Sequence, residues 1–173
     1  HSIRLIDAKG QVTTLAGDGN PGLVNGTGSQ ARFNSPSGVA ADPDGNIYVA
    51  DFSNHMIRRI SASGVVSIHA GSGQAGFNDG NIQTASFNGP VDITLDGDGN
   101  LYVADFYNHA VRKIAPDGTV ITLAGNGTPG FTDGKGAAAG FNFPVGLGMD
   151  QAGMLYVADL FNHAIRSVAP NGE

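Results

Sequence analysis

Apolar residues along this chain fall in short runs, and each run is closed by Gly, Asp, Asn or Pro. Between residues 36 and 71 the runs are Gly38–Ala41, Ile47–Asp51, Met56–Ile60 and Val65–Ala70. The connections are Asp42-Pro-Asp-Gly-Asn46, Ser53-Asn-His55 and Ser61-Ala-Ser-Gly64. Runs this short, rich in β-branched and aromatic residues and bounded by turn formers, predict four antiparallel strands and leave no room for a helix. We label them a, b, c and d. The same four recur at Val91–Leu95, Leu101–Asp105, Ala110–Ile114 and Val120–Ala124. A third copy supplies Val145–Met149, Leu155–Asp159 and Ala164–Val168, then reaches Ala169-Pro-Asn-Gly172 without a d strand. A d-like run, Val12–Ala16, stands at the other end of the chain.

The copies are in strict phase. Asp51, Asp105 and Asp159 lie 54 residues apart, as do Gly17, Gly71 and Gly125, Phe33, Phe87 and Phe141, and Tyr48, Tyr102 and Tyr156. A fixed period in this range marks a repeat architecture, whose units bury faces that none can bury alone. A four-stranded meander per period, with a strand missing at one end and present at the other, predicts a β-propeller that closes its ring by joining termini in one blade. Closure removes the free sheet edges that invite aggregation. Between d and a runs a long connection, Gly17–Pro36, Gly71–Pro90 and Gly125–Pro144. Leu23, Phe77 and Phe131, with Phe33, Phe87 and Phe141, are placed to pin it as an ordered loop.

Three stretches carry a family resemblance: Pro36 to Asp42, Gly45 to Asp51 and Asn54 to Arg58, repeated within residues 90–112 and 144–166. They resemble the NHL repeat, with departures at Asp92, where the pattern has Gly, and at Gly153-Met154, where Asn is replaced. The resemblance implies a β-propeller, usually of six blades. Three copies therefore imply a single repeat domain, residues 1–173, that completes the ring as a homodimer, its N-terminal strands c and d complementing the C-terminal blade. Strand c is then present twice, as Ile3–Ile6 and Ala164–Val168, and the sequence leaves open which copy is used.

Composition narrows the partners. A net charge of −6 without any basic run offers no footprint for phosphate backbones or acidic membrane surfaces, so neither nucleic acid nor membrane is expected. No apolar stretch approaches the roughly 18–20 residues of a membrane span. The chain contains no Cys, which excludes disulfides, thiolate metal sites and thiol nucleophiles. It begins at His1 without a leader, as expected of a processed form or an excised piece; a secreted or periplasmic origin is favoured.

The recurring Asp-x-x-Asn-His-x-x-Arg stretch is the strongest chemical motif. Imidazole and carboxylate could form a ring of metal ligands. The preferred reading is structural: Asp51 opposite Arg58, Asp105 opposite Arg112 and Asp159 opposite Arg166, as cross-strand charge pairs about a turn in which Asn takes the left-handed position. Asp42-Pro-Asp-Gly-Asn46 and Asp96-Gly-Asp-Gly-Asn100 open like calcium loops but lack the terminal Glu, and read as turns. The Gly-x-Gly-x-x-Gly of each long loop does not open a helix, so it is not a dinucleotide fingerprint. No metal or cofactor is expected. No nucleophile and base stand at catalytic spacing.

In a propeller the b-to-c turns and d-to-a loops emerge together, so one face would carry Phe52, His55, Phe77, Asp79, Phe106, Tyr107, His109, Phe131, Asp133, Phe161 and His163. Aromatics among rigid polar groups suit recognition, and the expected function is a non-enzymatic scaffold binding protein, peptide or glycan. One alternative is a self-assembling propeller fragment, natural or engineered, with no ligand. The other is a metal-dependent lyase or lactone hydrolase, as some relatives of NHL propellers are; for that, strand a offers Asp92 alone.

Overall fold

In a computed structural model, which describes residues 1–172, the chain is all-β, with four antiparallel sheets, five single 3-10 turns and no α-helix among the described residues. A two-stranded hairpin comes first, β1 (Ile3–Ile6) and β2 (Val12–Ala16). Next is a five-stranded sheet of β3 (Gly26–Thr27), β4 (Pro36–Ala41), β5 (Ile47–Asp51), β6 (Met56–Ile60) and β7 (Val65–Ala70), in the order β3-β7-β6-β5-β4. The second five-stranded sheet repeats it with β8 (Gly80–Asn81), β9 (Pro90–Leu95), β10 (Leu101–Asp105), β11 (Ala110–Ile114) and β12 (Thr119–Ala124). The last sheet has three strands, β13 (Pro144–Met149), β14 (Leu155–Asp159) and β15 (Ala164–Val168).

Local chemistry sets these bounds. Each first strand begins earlier than the apolar pattern suggests, at Pro36, Pro90 and Pro144. Proline, lacking an N–H, is tolerated as the first residue of a strand. Between first and second strands the turn is built by Asp: Asp96 Oδ1 accepts the N–H groups of Asp98 and Asn100, and its Oδ2 accepts Asn100 Nδ2 and the Tyr102 hydroxyl at 3.0 Å. Asp42 and Asp150 bond in the same manner to Tyr48 and Tyr156. The first aspartate of each calcium-like opening, Asp42 and Asp96, is thus taken up by the turn. Burial opposes ionisation of Asp96, but the Asn100 and Tyr102 donors win and hold its carboxyl below the usual range. Tyr102 is correspondingly raised, first by burial and then by Asp96.

The core lies between sheets, each packed on the next in chain order. Ile3 and Ala16 of the hairpin meet Phe33, Val49, Ile60 and Val66 of the first five-stranded sheet. Ala50, Ile57 and Ala70 meet Phe87, Ile93, Val103 and Val120 of the second. Tyr102, Val111 and Leu123 meet Phe141, Leu155, Val157 and Val168 of the last. Every residue of β10 is buried, because both faces of the middle sheet are covered. At the inner edge Ser37 Oγ donates to Val91 O at 2.6 Å, and Leu147 N–H donates to Asp92 Oδ2 at 2.8 Å. Asp92, the expected inner ligand candidate, therefore ties β9 to β13.

Two features depart from the sequence pattern. The long loops are not wholly irregular: β3 and β8 lay a fifth strand on the outer edges of β7 and β12. And within this chain the N-terminal strands form a sheet of their own against the first five-stranded sheet and add nothing to β15.

Candidate recognition face

The link between each second and third strand is a single 3-10 turn, Phe52–Asn54, Phe106–Asn108 and Leu160–Asn162, closed by His55, His109 and His163 at φ of 54°, 49° and 53°. Histidine, not asparagine, holds the left-handed position. Asparagine is engaged elsewhere: Asn108 Nδ2 donates to Asp105 Oδ2 and to Gly76 O of the long loop, as Asn54 does to Asp51 and Gly22 and Asn162 does to Asp159 and Gly130. The turns and long loops therefore share one face. The register places Arg58 opposite Val49 and Asp51 opposite Met56, so the carboxylate meets the guanidinium diagonally, not face to face as expected from a turn centred one residue later.

Each Asp–Arg pair is a hub. Asp105 Oδ1 accepts Asn88 N–H at 2.7 Å, and Oδ2 accepts Arg112 Nη1 at 2.8 Å. Arg112 goes on to Ser86 O, Asn78 O and Asp79 Oδ1, and its guanidinium lies between the Phe77 and Phe87 rings, 5.1 and 5.2 Å from their centroids. Asp51 with Arg58 uses Asn25 where the middle copy has Asp79, and Leu23 stands where it has Phe77. Asp159 with Arg166 uses Asp133, Phe131 and Phe141. Burial pushes the Asp51 and Asp105 carboxyls up, against the pull of their Arg and Asn donors. The histidines fasten neighbouring sheets. Gly89 N–H donates to His55 Nδ1 at 3.0 Å, Phe143 N–H to His109 Nδ1 at 3.1 Å and Ser35 N–H to His1 Nδ1 at 2.8 Å. Burial lowers the His109 pKa, opposed by Asp159, and keeps the ring neutral as an acceptor.

Of the candidate binding residues, then, Phe77, Asp79, Phe131 and Asp133 brace the arginines, while His55 and His109 latch the sheets. His163 is exposed at the end of the stack. Phe52, Phe106, Tyr107 and Phe161 converge, and a residue outside the repeat pattern joins them. Phe143 stacks at 4.7 Å on Phe106, 4.4 Å on His109 and 5.1 Å on Phe161, while Phe52 lies 5.8 Å from Tyr107 and 6.2 Å from Phe106. Phe143 has φ of 57°, at a position occupied by Ser35 and Gly89 in the other copies. A bulky side chain there costs about 1–3 kcal/mol. Part of that is returned by the ring pairs, each contributing about 0.5–1.5 kcal/mol beyond area burial. Tyr107 and Phe161 remain 47% and 56% exposed, so the cluster is an open apolar platform. Among the described residues no three His, Cys, Asp or Glu side chains gather as a metal-binding group.

The NHL-repeat model matches residues 33–60 and 87–114, two of the three stretches that build this face. The chain carries NHL repeats at these two stretches. As an NHL-repeat chain it is 34% identical to human NHL repeat-containing protein 2 over 174 residues, 91% of this chain and 24% of that protein. It is 33% identical to the chloroplastic protein SUPPRESSOR OF QUENCHING 1 of Arabidopsis thaliana, over 94% of this chain and 16% of that one. It thus spans a quarter or less of these relatives. Among solved structures it is similar to a protein of unknown function from Bacteroides thetaiotaomicron, with a TM-score of 0.78 and 27% identity over 92% of this chain and 40% of that one. It is also similar to virginiamycin B lyase from Staphylococcus aureus, with a TM-score of 0.62 and 21% identity over 99% of this chain and 46% of that one. The second likeness is one of fold alone.

Proposed function

We propose that the sheets are blades of an NHL β-propeller and that the chain is a non-enzymatic recognition module, binding protein, peptide or glycan on the face carrying the 3-10 turns and long loops. The observation that carries the reading is the Phe52–Phe106–Tyr107–Phe143–Phe161 platform. It is apolar and open, it stands beside the buried Asp–Arg pairs, and it includes a bulky ring, Phe143, at a left-handed position that the other copies give to Ser35 and Gly89. Rigid aromatics bind at low entropic cost, because little is frozen on association. Lyase or lactonase chemistry would have to begin from the inner strands, where Asp92 is already bonded to Leu147 N–H.

The test is a peptide library and a glycan array screened against the wild-type chain and the double variant Phe143→Gly, Phe161→Ser. Glycine suits the left-handed backbone at 143, so the variant keeps the fold. Ligands enriched on the wild type are expected to bind the variant at least about tenfold more weakly, or roughly 1.4 kcal/mol. Equal binding to both would remove the platform from the function.

A further inference from the structure

The far end of the stack is unfinished in a way that its other sheets define. β7 lies between β6 and β3, and β12 lies between β11 and β8. Beside β15 the equivalent place is a groove of about 350 Å³, lined by Asp133 and Gly134 on one side, Ile165, Arg166 and Val168 on the other, and Phe141 below. The outward face of the same sheet is bare. Ile57 and Val111 are fully buried by the next sheet, whereas their counterpart Ile165 is 72% exposed. Among the described residues no N–H donates to His163, although His1, His55 and His109 each accept one.

The near end shows the complement. β1 pairs with the inner edge of β2 over four residues but has no further strand inside it, where the other sheets have two. Leu5 and Ile6 are 49% and 67% exposed, and exposed Arg4 donates to Thr13 O at 3.3 Å. By contrast Arg166 reaches Asp159, Gly140, Thr132 and Asp133. Residues 163–166, His-Ala-Ile-Arg, repeat residues 1–4, His-Ser-Ile-Arg, but with two further strands behind them.

We propose that β15 displaces β1 from β2 of a second copy, resting on the reading of the sheets as blades. Residues 163–166 of one chain then stand where residues 1–4 stood in the other. His163 Nδ1 accepts Ser35 N–H, Ile165 enters the place Ile3 leaves, and β2 fills the groove. The exchange is mutual about a two-fold axis, so it closes instead of propagating. The chain matches 40% and 46% of two solved propeller-like chains, so two copies supply nearly the length of one. Strand pairing gives the affinity and the covered side chains give the selectivity.

The register follows from β1, whose Leu5 pairs with Thr13, and puts Ser167 opposite Thr13 of the second copy. The experiment is light scattering on a sizing column with two cysteine pairs in this cysteine-free chain. The wild type is expected at twice 17.6 kDa. Thr13→Cys with Ser167→Cys is expected to oxidise to a covalent dimer, and Leu5→Cys with Thr13→Cys to stay uncrosslinked. Ile165→Asp, at a site exposed in the single chain, is expected to give a monomer that keeps the wild-type circular dichroism spectrum and melts at lower temperature. A wild-type monomer, a ladder of growing masses, a Leu5–Thr13 cross-link in the dimer, or a dimer indifferent to Ile165→Asp would each overturn the exchange. A monomer that still binds ligand through Phe143 defeats the exchange alone; a dimer that binds nothing defeats the recognition reading alone.

Discussion

At the scale of single residues, the fold hangs on three arginines. Arg58 and Arg112 are fully buried with their aspartates, whereas Arg166 is partly open and its second acceptor, Asp133, lies in solvent. Removing one partner of a buried pair leaves the other charge uncompensated, so Arg112→Met is expected to cost about 3–5 kcal/mol. Arg166→Met should cost clearly less; urea unfolding of both variants gives the ranking. His69 differs from the outward-facing strand residue that its position suggests. It packs edge-on against Tyr48 at 4.8 Å, and burial, helped by Arg59, lowers its pKa to about 4. The unfolded chain, with an ordinary pKa near 6.5, binds the proton more readily. Stability from this residue is therefore complete above about pH 6.5 and lost as pH falls toward 4, by on the order of 2 kcal/mol. Urea midpoints at pH 7 and pH 5 should converge in His69→Phe relative to the wild type.

At the scale of elements, strand placement was legible because each run is short, β-rich and closed by a turn whose Asp and Gly have a defined job. Gly125, for example, sits at φ of 102°, where a Cβ would lie 2.5 Å from His109 O. What stayed hidden had no local pattern. β3 and β8 are Gly-Thr and Gly-Asn pairs with no apolar face to read. The histidine latch joins residues 34 apart in sequence, so the recurring histidines resembled ligands when they are fasteners. Phe143 was invisible because the repeat that reveals the rest has Ser and Gly at that place. The latch can be tested at one joint. Asparagine tolerates the left-handed turn but is too short to reach, so His109→Asn should strand the Phe143 N–H at a cost of about 1–3 kcal/mol. Hydrogen exchange at the Phe143 amide is expected to rise in that variant, while exchange in β5 and β6 stays unchanged.

At the scale of the whole molecule, bracing and the open platform share the face of the turns and long loops. Ion pairs, stacked rings and latches occupy most of the polar groups that the repeat brings to this face, and leave an aromatic platform where sheets meet. A surface of this kind, apolar and rigid, is costly to expose without a partner. Its location was partly readable, since Phe52, Phe106, Tyr107 and Phe161 recur with the turns; its centre was not. The measurement closest to the account's claim is hydrogen exchange on the wild-type chain with and without a ligand enriched by the peptide or glycan screen. Protection is expected at residues 52–54, 106–108, 143 and 160–162 together. Protection confined to the inner strands β4, β9 and β13, with these turns unchanged, would contradict it.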